Sequence, residues 1–134
     1  MIGRIIHDRI LTHPCSPRAI PSNRGEPVAL ENTLVGWVLH VGRERVECAS
    51  KGEARYLAIF AKMGYTEAPV PDDPSVLESI LTDLEADWAD LKRRIDEGTS
   101  SELNPTRRRE IEELVWEGIR EKLAIEKHPP VASV

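Results

Sequence analysis

The stretch LVGWVLHVGRERVECASKGEARYLAIFAKMG, residues 34–64, decides the fold. Val35, Trp37, Leu39 and Val41 alternate with Gly36, Val38 and His40, which is the period of a half-buried strand. Gly42-Arg43 fits a two-residue type II′ turn, with glycine at its first central position. That turn sets Val41 opposite Glu44, Leu39 opposite Val46 and Trp37 opposite Cys48, so the apolar residues of both strands share one face. Val38, His40, Arg45 and Glu47 take the other, and a one-residue slip would mix the two. A longer loop through Gly42-Arg43-Glu44-Arg45 is the alternative, with a shifted pairing.

A helix follows the hairpin. Ser50 and Glu53 stand in capping-box spacing, so the serine hydroxyl can accept from the third helical amide. Leu57, Phe60 and Ala61 trace one face, Tyr56, Ile59 and Met63 widen it, and Gly64 suits a left-handed cap. This face is expected to cover the Trp37/Leu39 side of the hairpin. Beyond Gly64, Thr66–Val70 reads as a short strand that Pro69 confines to a sheet edge.

The C-terminal half reads as a long antiparallel helical hairpin. Asp73-Pro74 opens the first helix, with Asp as N-cap and Pro at the first helical position. Leu77, Leu81, Leu84, Trp88, Leu91 and Ile95 alternate at spacings of four and three, a heptad-like seam that Val76 and Ile80 widen. Gly98 is its expected stop. Asn104-Pro105 opens the second helix, whose apolar stripe is Ile111, Leu114, Val115, Ile119 and Leu123, with Trp116 at its edge. A short polar linker between two amphipathic helices makes them antiparallel neighbours. The segment REIEELVWEGI, residues 109–119, resembles a helix of restriction-modification adenine methyltransferases. The cofactor and catalytic motifs of those enzymes are absent from the sequence, so the resemblance carries no residue role and no activity.

Before the hairpin, HPCSPRAIPSNRGEP (13–27) holds Pro14, Pro17, Pro21 and Pro27, which forbid a continuous helix and favour extended chain. This extended Pro-rich N-terminal arm docks on a partner, packs on its own domain, or stays disordered. Ahead of it, Ile2, Ile5, Ile6 and Ile10 can form one helical face. The expected architecture is therefore a single α+β domain: arm (1–30), hairpin, helix and edge strand (34–71), and helical hairpin (73–127).

Composition bounds the function. Hydrophobic content of 40% with 31% charged residues is that of an ordinary globular protein. No apolar run approaches the roughly 20 residues that span a membrane, and charges break the N-terminal segment where a signal peptide needs an apolar core. Two cysteines, Cys15 and Cys48, make no disulfide framework, so a cytoplasmic setting is expected, with one bridge between them left open. The net charge of −5 concentrates between Asp72 and Asp90, where seven acids occur without a Lys or Arg. A duplex-binding surface carries the opposite sign, so direct nucleic-acid binding is disfavoured.

Residues that carry chemistry are sparse. His13-Pro14-Cys15 lacks zinc-ligand spacing, and His40 falls on the opposite face from Cys48. His7 and Asp8 are neighbours in sequence and do not face each other in regular structure. No Gly-rich phosphate loop, nucleophile elbow or HExxH is present, and no metal or cofactor is expected. The reading is a non-catalytic interaction or assembly subunit that binds a protein or itself. Its candidate contacts are Arg18, Ile20 and Arg24 on the arm and Val76, Ile80, Trp116 and Ile125 on the helical hairpin. A second reading makes Asp83, Asp87 and Asp90, at i, i+4 and i+7, an acidic face that occupies a basic nucleic-acid-binding surface. A third is a small enzyme using His7, His13 or His40.

Overall fold

The computed structural model describes residues 2–23 and 26–123. In chain order, α1 (Ile2–Ile5) runs on into a wider π-type turn over Ile6–Ile10, followed by β1 (Cys15–Ala19), β2 (Val28–Thr33), β3 (Gly36–Val41) and β4 (Glu44–Cys48). Then come α2 (Lys51–Lys62), β5 (Glu67–Pro71), α3 (Pro74–Thr99) and α4 (Pro105–Leu123). The α+β class is as read from the sequence.

The hairpin register holds residue for residue. Val41 faces Glu44, Leu39 faces Val46 and Trp37 faces Cys48, with Gly42 at φ +60° in the turn. Leu39, Val41 and Val46 are buried in the core beneath α2. Val35 does not extend the strand. It lies with Leu34 in the turn that joins β2 to β3.

The sheet has a third strand, but not the expected one. β2 pairs antiparallel with β3, giving the order β2-β3-β4. The segment after Gly64 does form a strand, β5, and it pairs instead with β1 from the Pro-rich arm. The arm is thus not a free extended segment. Its backbone bonds Ile20 N–H to Thr66 O and accepts Asp72 N–H at Pro14 O, which fixes the phase of this second ladder. In that phase Pro17, Pro69 and Pro71 fall on outward-facing positions, so no proline removes a ladder donor. Prolines that argue against a central strand are compatible with a two-stranded one, where every residue has a free edge.

Helix starts follow the cap residues. Ser50 Oγ accepts from Glu53 N–H (3.1 Å), Asp73 from Ser75 N–H (2.9 Å) and Asn104 from Thr106 N–H (3.0 Å). The capping box at α2 is one-sided, because the Glu53 carboxylate turns to Arg18 instead of its own helix. Gly64, at φ +86°, ends α2 as expected. Gly98 does not end α3, which runs on to Thr99; its hydroxyl bonds back to Ile95 O and across to Glu112 of α4.

One core joins these parts. Tyr56, Leu57 and Phe60 of α2 and Met63 at its C-cap are fully buried, as are Ile6 and Ile10 and the α3 seam residues Leu81 and Leu84. Ile80, expected beside the seam, is itself core at 1% exposure, because α3 packs against α2 and against the N-terminal isoleucines. Ile80→Ala is therefore expected to lower stability by roughly 2–5 kcal/mol in urea unfolding. A loss below about 0.5 kcal/mol, typical of surface sites, would contradict this packing.

Candidate functional site

The arm's candidate residues are used within the chain. Ile20 is 4% exposed and belongs to the core. Arg18 pairs with Glu53 and donates from Nη2 to Glu47 O on the outer edge of β4 (2.8 Å). Neither presents the free arm surface expected from the sequence. Asn23 continues the arm across the end of α2, donating to Ala61 O (2.9 Å). Arg24 and Ile125 lie outside the described residues.

On the helical hairpin, Val76 is half-buried and Ile80 presents no surface. Trp116 turns inward, its ring 5.2 Å from that of Trp88 on α3. The outward apolar residue of α4 is instead Leu114, 68% exposed, and Leu103 in the linker is also exposed. Of the 19 residues of α4 only Leu123 is buried, so this helix is held by a few contacts. His7 Nε2 meets Leu123 O, Leu123 packs at Gly3, and Arg120 donates to Met63 O at the end of α2 (2.6 Å). That carbonyl carries the negative end of the α2 dipole, which suits a guanidinium.

Between α4, α3, the end of α2 and the arm lies an open cleft of about 730 Å³. Trp88, Trp116, Met63 and Val28 give it an apolar lining. Lys92, Arg109 and Arg120 line it together with Glu112, Glu113 and Glu117, so it carries no single sign of charge.

The acidic row is partly neutralised by the chain itself. Asp83 pairs with Arg9 (2.8 Å), and Asp90 with Arg93 (2.8 Å) and Arg94 (3.0 Å). The Arg93 hydrogen bond holds the Asp90 carboxyl below its usual range. Asp87 also has a partner. At the start of α4, Arg107 pairs with Glu102 and Arg108 with Glu112, both at 3.3 Å.

The groups that carry chemistry are dispersed. Cys15 is buried, with its thiol raised to about 11 by burial and then by Asp72. Burial also raises Cys48, with Glu53 adding to it. His40 pairs with Glu31 on the outer face of the sheet (2.9 Å). Among the described residues no group of three or more His, Cys, Asp or Glu converges as a metal site, and no helix is long and apolar enough to cross a membrane.

The most exposed apolar residues were not singled out from the sequence. Leu34 and Val35, at 107% and 93% exposure, form the tip between β2 and β3. Thr33 locks this turn: its hydroxyl donates to Gly36 O (2.8 Å) and accepts from Val35 N–H (3.3 Å). Gly36 takes φ +137°, a conformation open to glycine. Turns usually carry Gly, Asn, Asp, Ser or Pro at such positions, so the signal was legible as two large apolar residues between Thr33 and Gly36.

Arg120→Ala is expected to speed backbone hydrogen exchange along α4 while leaving α2 and α3 unchanged; equal rates in α4 would contradict its role as an anchor. A thiol raised to about 11 is roughly a thousandth ionised at pH 8. Cys15 should therefore be alkylated by iodoacetamide far more slowly in the native chain than in urea. Comparable rates would overturn its burial. Comparison with models of protein families, with curated proteins and with solved structures finds no match for this chain.

Proposed function

We propose that this chain is a non-catalytic interaction or assembly subunit. Its contacts come from rigid apolar projections: the Leu34-Val35 tip and the outer side of the helical hairpin at Leu103 and Leu114. The observation that carries this reading is the tip. Two large apolar side chains stand almost wholly in water on a turn pinned by Thr33 and Gly36. Scattered exposed leucines need no explanation, but an adjacent pair held out by a defined turn loses little backbone freedom when a partner covers it. The dispersal of histidines, cysteines and carboxylates supports binding over catalysis.

The arm contributes to this reading indirectly. By pairing with β5 and clamping Glu47 O through Arg18, it fixes the sheet from which the tip projects.

The test is affinity capture from an extract of the source organism, with tagged and untagged chain both present, using wild type and Leu34→Ser/Val35→Ser. At least one protein, this chain included, is expected to be retained by wild type and reduced about ten-fold, near 1.4 kcal/mol, by the double variant. Identical retained sets would contradict the reading.

A further inference from the structure

We propose that β2 is the contact strand of a symmetric dimer, in which a second copy of the chain lays its own β2 antiparallel against it, centred on Leu30. The inference rests on the assembly reading and names its partner.

The ladder phase shows which backbone groups β2 leaves outward. Gly42 N–H bonds Pro27 O, so Pro27–Gly42 is a hydrogen-bonded pair of the β2–β3 ladder. Such pairs recur every second residue in an antiparallel ladder. Ala29–His40, Glu31–Val38 and Thr33–Gly36 are then bonded pairs, and the N–H and C=O groups of Val28, Leu30 and Asn32 point to the free edge. Among the described residues no hydrogen bond engages those groups.

The opposite edge is treated differently. The same alternation turns Arg45 and Glu47 of β4 outward, and Arg18 takes the Glu47 carbonyl. Charged residues fill that strand, and the arm's guanidinium blunts it, which are the usual defences of an exposed edge. On β2 the only charged residue is Glu31, and its carboxylate is drawn to His40 on the outer face. One edge is protected and the other is left open.

Self-complementarity selects a second copy and a register. Leu30 lies on the α2-facing side, beside fully buried Leu39, yet is 37% exposed, and among the described residues no strand flanks it beyond the edge. Centring the two-fold on Leu30 sets Leu30 against itself, Val28 against Asn32, and Glu31 against Ala29 of the second copy. All three outward-facing residues then exchange hydrogen bonds. Centring on Glu31 would place two carboxylates directly opposite each other, which is unfavourable. An odd shift would set outward-facing groups against inward-facing ones and bond nothing.

The same operation gives the tip a destination. Continuing the register places Thr33 opposite Pro27 of the second copy, and the Leu34-Val35 turn follows on beside its Glu26. Glu26 and Val28 line the cleft over Trp88 and Trp116. Each apolar tip therefore arrives at the other copy's cleft, in an isologous arrangement that closes on itself.

Sedimentation velocity of the full chain over a range of concentrations tests this, with Leu30→Lys and Asn32→Pro. Asn32→Pro removes an outward N–H and leaves the β3 ladder bonds intact. Wild type is expected at twice the 15.1 kDa chain mass, with association weakened at least about ten-fold in each variant and unfolding midpoints nearly unchanged at high dilution. Leu30→Cys in a Cys48→Ser background should give a disulfide-linked dimer under oxidation, and Arg45→Cys in the same background should not. A wild-type monomer at every concentration overturns the inference, as does a dimer indifferent to both variants or a β2 edge taken by a strand of another protein. If capture of a different protein through the tip persists alongside a monomer, the assembly reading stands and only the dimer fails; loss of both removes both.

Discussion

The structure depends on burying one helix from every side. Of the twelve residues of α2, Gly52, Ala54 and the run Tyr56–Ala61 are buried. A helix apolar over most of its circumference cannot rest on a single sheet face. The three-stranded sheet covers one side and α3 another, and the arm and β5 close the rest. Tyr56, Phe60 and Tyr65 stack with ring centroids 4.9 and 5.6 Å apart, and the Tyr56 hydroxyl donates to Pro69 O of β5. The two-stranded sheet is thereby tied to α2, on which the three-stranded sheet also packs, although the two sheets share no ladder.

That demand explains what the sequence made legible. The β3–β4 register, the caps at Ser50, Asp73 and Asn104, the Gly64 stop and the α3 seam all depend on neighbours close in the chain. Strand alternation, cap chemistry and helical period report such neighbours directly. The N-terminal isoleucines were readable for the same reason. Ile80 was not, because its burial depends on α2 and the N-terminal segment approaching α3 from a side its own period does not mark.

The β-strands outside the hairpin depended on distant partners. Pro17 favours extended chain and Pro69 confines its strand to a sheet edge, but only the phase of the β1–β5 ladder shows that both face outward. In β2, Val28, Leu30 and Asn32 did alternate with Ala29 and Glu31, but the strand begins right after Pro27 and was absorbed into the arm. Arg18 and Ile20 looked available for a partner because nothing local occupies them. The chain's own Glu53, Glu47 and core do. Trp116 and Leu114 exchanged roles because the α3–α4 contact is narrow, and Trp88 decides which side of α4 turns inward.

In the three-stranded sheet, internal pairing leaves a protected edge at β4, an open edge at β2, and an apolar tip between β2 and β3. In the proposed dimer β2 completes its ladder with another β2. Residue-resolved amide exchange at low and high protein concentration tests it most directly. Ala29, Glu31 and Thr33, bonded to β3, should exchange slowly at both concentrations. Val28, Leu30 and Asn32 should exchange fast when dilute and slow when concentrated. Fast exchange of Val28, Leu30 and Asn32 at every concentration, beside slow exchange of their neighbours, would contradict it.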